Sequence, residues 1–236
     1  MYRLYKKNEL NFSLVWIISY VILFSAADRL SALVGIEKII TAPVCIVFTL
    51  LLFGFISKNN LKKQYGLCPF QGNLKNYLYF IPLLLIMSVN LWNGITMNAS
   101  VAETVLHILS MFCVGFIEEI IFRGFLFKAL CKDNVRMAIL ISSITFGMGH
   151  IVNLLNGRDF IPTLLQICYA NVIGFLFTIL FYKGKSLLPC MITHGVLNAL
   201  SIFAVKNSSL GFDIISNAAL CIISVGYAFW ILRKTK

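Results

Sequence analysis

The sequence predicts an all-α polytopic membrane bundle of about eight transmembrane helices, with both termini in the cytoplasm. Three observations predict it: an apolar fraction too large for a water-soluble domain, apolar runs of bilayer length, and basic residues that alternate between the ends of those runs. Of 236 residues, 59% are hydrophobic and 12% are charged. Soluble domains hold about 45–50% and about 25% respectively. A globular core cannot absorb that excess, so lipid must be part of the solvent. A helix needs roughly 20 mostly apolar residues to cross a bilayer. Such runs lie near 13–35, 39–57, 77–97, 101–127, 137–155, 161–181, 187–205 and 213–232, joined by short connections.

The basic residues test that count. With the chain starting inside, one face receives Arg3, Lys6, Lys7, Lys58, Lys62, Lys63, Lys75, Lys128, Lys132, Arg136, Lys183, Lys185, Arg233, Lys234 and Lys236. The opposite face receives Lys38, Arg158 and Lys206, while Arg29 and Arg123 fall within spans. A wrong count would scramble this alternation, and the positive-inside rule then orients the bundle. The net charge of +11 is therefore a mark of topology, and nucleic acid is not an expected partner. Seven cysteines are scattered through apolar segments without a Cys-x-x-Cys pair. They read as small buried hydrophobes rather than as a zinc or disulfide framework. Ser25-Ala26-Ala27 resembles a signal-peptidase site, but apolar sequence continues to Gly35, so the first span is expected to stay as an anchor.

Ionisable residues inside spans are costly and mark function by default. Most of the nine acids lie at span ends or in loops, and Asp28 with Arg29 sits where snorkelling suffices. The run Gly-Phe-Ile-Glu-Glu-Ile-Ile-Phe-Arg is different, because it places Glu118, Glu119 and Arg123 inside an apolar helix. Spacing i, i+4 lets Glu119 pair with Arg123, while Glu118 points about 100° away and is expected to stay free. His150 lies in the fifth span, one turn after Phe146, and His194 precedes Asn198 by one turn in the seventh. Gly147, Gly149 and Gly195 would allow close helix approach there. Each residue alone has an ordinary structural reading, as a packing clamp or an interhelical hydrogen bond. Two Glu, one Arg, two His and one Asn on three helices exceed what packing needs. His107 lies roughly 16 Å from Glu118 along the same helix and is left outside the site.

The ordered set Glu-Glu-x-x-x-Arg, Phe-x-x-x-His and His-x-x-x-Asn resembles the CPBP family, the type II CAAX prenyl endopeptidases with their bacteriocin-processing and self-immunity (Abi) relatives. Gln64–Phe70, reading QYGLCPF, is similar to a weaker feature of that family. The resemblance divides the chain into N-terminal spans (1–99), a catalytic core (100–205) and a C-terminal helix with a basic tail (206–236). It implies an intramembrane endopeptidase in a bacterial cell membrane, acting on a peptide or membrane-protein substrate within the bilayer. The substrate would be a CAAX-like lipidated protein or a bacteriocin-type peptide. Glu118 and His150 are expected to activate water, His194 and Asn198 to stabilise the oxyanion, Glu119 and Arg123 to fix the first carboxylate, and Phe146 to wall the cavity. No cofactor is required by this scheme. The competing chemistry uses Glu118, His150 and His194 as zinc ligands. A proton- or ion-coupled transporter and a non-proteolytic immunity protein are the alternative functions.

Overall fold

A computed structural model describes residues 1–205 and 209–235, so Lys206 and Lys236 lie outside the described residues. Among the described residues, nine α-helices of six or more residues form one bundle: α1 (Tyr2–Lys7), α2 (Glu9–Val34), α3 (Thr41–Lys58), α4 (Ile81–Ser88), α5 (Val101–Leu130), α6 (Val135–Met148), α7 (Phe160–Gly184), α8 (Leu188–Leu200) and α9 (Leu210–Lys234). Seven stretches are long and apolar enough to cross a membrane. Leucine and isoleucine side chains cover the outside, including Ile22, Leu50, Ile215 and Ile222, all more than half exposed. In water that surface would be untenable; against acyl chains it is the expected one.

Two spans depart from the expectation. The third is broken: a 3₁₀ turn over Leu74–Phe80 precedes α4, and Leu78, Tyr79 and Phe80 all take left-handed backbone (φ 48°, 50° and 62°). Each such residue costs roughly 1–2 kcal/mol. The kink is held from α9, whose Tyr227 hydroxyl donates to the Tyr77 carbonyl at 2.6 Å and whose Trp230 Nε1 donates to that of Asn76 at 3.0 Å. The seventh apolar run gives a helix with its final turn of only Leu188–Phe203, shorter than the other spans. Its end is capped from the segment after α4. Asn98 donates to the carbonyls of Ile202 and Ala204 at 2.9 and 2.8 Å, and Asn90 to that of Leu197 at 2.6 Å. Eight expected spans thus become seven long ones and one short one.

α5 and α7 are the central staves, with 50% of each span buried against 17–33% for the others. Ser100 and Glu103 form a reciprocal capping box that starts α5. Its second half is not the ordinary helix expected there. From Glu119 to Phe127 the backbone is π-helical, and all nine of those residues are buried. Such wide turns bond i to i+5 and favour functional sites. Ser142 on α6 donates to the Phe122 carbonyl at 2.9 Å within this stretch.

α5 meets α8 through paired glycines. A Cβ at Gly115 would stand 2.7 Å from the backbone nitrogen of Gly195 and 3.1 Å from the Met191 carbonyl oxygen. Rotation of a side chain cannot relieve contacts with backbone. Gly147 likewise lies against Asn171 of α7, but Gly149 has no atom within 4 Å of a built Cβ, so close approach is not its role. Gly115→Ala should lower bundle stability by about 1–3 kcal/mol through overpacking. Thermal unfolding in detergent checks this, with Gly226→Ala, which has open space at its Cβ, as the comparison expected to behave like the native chain.

Candidate active site

The π-helical half of α5 brings its acids to face α2, α7 and α8. Glu119 and Arg123 are fully buried, and Arg123 Nη1 donates to Glu119 Oε1 at 3.0 Å, the pairing the spacing predicts. Ionised groups this deep persist only when paired. The guanidinium also lies over the Phe146 ring, 4.0 Å from its centroid, and 5.8 Å from that of Phe177. Phe146 is therefore a platform for the arginine as well as a wall. Gly174 of α7 makes this possible, since a Cβ there would come within 3.0 Å of Arg123 Nη2.

Glu119 Oε1 accepts a second hydrogen bond, from His194 Nδ1 at 2.9 Å. A carboxylate can only accept, so Nδ1 carries the proton and Nε2 is turned the other way. It points at Glu118, whose Oε2 is 3.5 Å distant. Two expectations change here. Glu119 and Arg123 fix the histidine, not the first carboxylate. Nor is Glu118 free, because the hydroxyl of Tyr20 on α2 donates to its Oε1. Its Oε2 is buried and has no hydrogen-bond partner among the described residues.

His150 reaches the site because α6 ends at Met148 and tightens into a 3₁₀ turn over Gly149–Ile151. The Phe146 ring packs edge-on to both histidines, with centroids 5.7 Å from each. Glu118, Phe146, His150, His194 and Asn198 all line one cavity of about 1020 Å³. Glu119 and Arg123 stand behind its wall. Asn198 lies one turn beyond His194 and is half-buried. Among the described residues, no three His, Cys, Asp or Glu side chains form a ready metal cage.

Two polar groups outside the motifs also belong to the cavity. Tyr20 is one. The other is His107, whose Nδ1 lies 3.1 Å from Glu37 Oε1 and whose Nε2 lies 3.3 Å from the Asn198 carbonyl oxygen and 3.2 Å from Ser201 Oγ. It is remote from Glu118 in sequence yet braces the backbone of Asn198. Asp28, read as a snorkelling residue, is structural in another way: it accepts from Lys38 Nζ at 2.8 Å and Thr41 Oγ1 at 2.6 Å, closing the α2–α3 turn.

A helical bundle with a buried Glu/His centre at the end of a polar cavity has the form of an intramembrane hydrolase. Residues 100–200 match the family described as Type II CAAX prenyl endopeptidase Rce1-like. The chain is an integral membrane protein, and its core is similar to that family of membrane proteases. No curated protein and no solved structure matches it.

Replacing Arg123 by Leu leaves Glu119 buried without its cation, and breaking such a pair costs about 3–5 kcal/mol. Arg123→Leu should therefore lose most of its folded, detergent-extractable protein. Size-exclusion profiles and thermal unfolding check this, and Glu119→Gln/Arg123→Leu together should recover part of the loss.

Proposed function

We propose that the chain is a glutamate-dependent intramembrane endopeptidase. It would hydrolyse a peptide bond near the C-terminus of a CAAX-like or lipidated protein, or in a bacteriocin-type peptide. The observation that carries this reading is the placement of Glu118 Oε2 opposite His194 Nε2, 3.5 Å apart, on the wall of a cavity large enough for an extended peptide.

Amide hydrolysis needs an activated water, a polarised carbonyl and a proton for the leaving amine. Glu118 takes the water proton on Oε2, while the Tyr20 hydroxyl holds Oε1 and fixes the carboxylate plane. His150, which lines the same cavity, orients the same water. The hydroxyl adds to the carbonyl carbon, and the resulting oxyanion is stabilised by His194 on its Nε2 side and by Nδ2–H of Asn198. Collapse of the tetrahedral adduct passes the proton from Glu118 to the departing nitrogen, leaving an acid and an amine. Glu119 and Arg123 act through His194 as positioning residues, and His107 acts through the Asn198 backbone. Desolvation strengthens each of these contacts, because few competing dipoles surround them.

Glu118→Gln should reduce cleavage by about 10²–10⁴-fold, the usual worth of a general base. Asn198→Ala should reduce it by about 10²–10³-fold. Mass spectrometry of protein termini, comparing cells with the native chain and the variants at equal expression, reads both effects without a prior choice of substrate. Identical termini in native and Glu118→Gln cells would overturn the reading.

A further inference from the structure

The cavity that holds the site is lined by exposed residues at the end away from the lysine-rich face. Its deep part is formed by buried residues such as Glu118 and His194. Its mouth is formed by exposed residues at helix ends: Arg29 near the end of α2, Glu37 in the α2–α3 turn, Asn93 after α4, and Asn156 and Arg158 between α6 and α7. Chain alternation puts all of these at one end of the bundle. The opposite end carries fourteen of the described basic residues, among them Lys58, Lys62, Lys63, Lys128, Lys183 and Lys185. None of those fourteen lines the cavity.

That basic end is plugged. The segment 59–73 folds under the bundle, with Tyr65 buried edge-on to Phe125, ring centroids 4.9 Å apart. It is tied to the α7–α8 turn by Leu187 N donating to Gly66 O at 2.9 Å, Gln71 N to Gly184 O at 3.1 Å, and Ser186 Oγ to Cys68 O at 2.7 Å. A Cβ at Gly66 would lie 2.5 Å from the Phe181 ring and 2.9 Å from Leu187 N. No space for a peptide is left there.

We propose that substrate enters from the extracytoplasmic side of the membrane. Basic residues collect on the cytoplasmic face, so the plugged, lysine-rich end faces the cytoplasm and the mouth faces out. This rests on the protease reading of the site and narrows its substrate class. The scissile segment belongs to an exported peptide, or to the outward-facing part of a membrane-anchored protein, rather than to a cytosolic tail. Carbonyl and amide groups of such a segment meet a polar mouth. Exposed Arg29 and Arg158 border it beside Glu37, a mixed set of charges suited to an extended backbone with its own polar ends.

Thiol labelling in intact cells tests the orientation. Asn156→Cys at the mouth and Lys63→Cys at the plugged end would each be treated with a membrane-impermeant maleimide, before and after permeabilisation. Modification is read residue by residue by mass spectrometry, so the native cysteines do not interfere. Leu155→Cys and Lys62→Cys repeat the comparison at second exposed positions. The expected result is at least a tenfold faster reaction at 155 and 156 than at 62 and 63 in intact cells, with the latter pair reacting only after permeabilisation. The reverse order, or equal reaction at both ends, would overturn the proposal. Labelling reports orientation whether or not the chain cleaves anything, so absence of Glu118-dependent termini would remove the protease reading and leave the orientation standing. Glu118-dependent cleavage sites confined to cytoplasmic segments would overturn entry from outside.

Discussion

The structure depends on one ion pair that has no contact with water. Glu119 and Arg123 are both fully buried and paired at 3.0 Å, and the surroundings close around the pair. Moving each charge out of water costs several kcal/mol even after relaxation. Offsetting that cost takes the hydrogen bond between them, the faces of Phe146 and Phe177 against the guanidinium, and the His194 ring on the remaining side of Glu119 Oε1. Four helices, α5 to α8, supply those groups. A change in packing among them alters the pair, and the pair in turn sets where the imidazole points. The fold and the site are therefore constrained by the same atoms.

The π-helical stretch is the local form of this constraint. Nine successive buried residues cannot all face one neighbour on an ordinary helix, so the segment must be surrounded. It is enclosed by α2, α6 and the loop 59–73, which bring Phe12, Ser142 and Tyr65 to its different sides. Widening the turn gives up some regular bonding, and Ser142 accommodates part of that by donating to the Phe122 carbonyl. The widened turn begins at Glu119, directly after Glu118. The irregularity falls at the two carboxylates, as wide turns at functional sites tend to do.

Hydropathy made most of the fold legible, because a span is a property of summed apolar area and needs no partner. The third and seventh runs were misjudged for a related reason. Nothing in the apolar composition of Leu78, Tyr79 and Phe80 announces left-handed backbone, which is imposed by contacts from α9 more than a hundred residues later. Asn90 and Asn98 shorten the other helix by capping carbonyls equally far away in the sequence. In the site, spacing was enough for Glu119 with Arg123, since both sit on one helix. It could not say that Glu119 serves His194, nor that Glu118 is held by Tyr20, 98 residues before it. A tyrosine in an apolar span looks like any interfacial aromatic until its hydroxyl has a partner. His107 was set aside on axial distance, which is a fair measure for contact with Glu118 but says nothing about contact with α8.

Peptide hydrolysis inside a bilayer has to reconcile two demands: water must reach the bond, and the charged transition state must be met by few, fixed dipoles. A cavity closed at one end separates them in space. At the mouth, exposed polar side chains keep the entrance hydrated and cost little, because they remain in contact with solvent. Farther in, three of the polar residues are held by specific partners: Glu118 by Tyr20, His194 by Glu119, and the backbone of Asn198 by His107. A second opening would let water compete for those partners and would weaken the very contacts that orient the imidazole. On the protease reading, the loop 59–73, anchored by buried Tyr65, is thus as much a part of the arrangement as the motif residues, although it carries none of the chemistry.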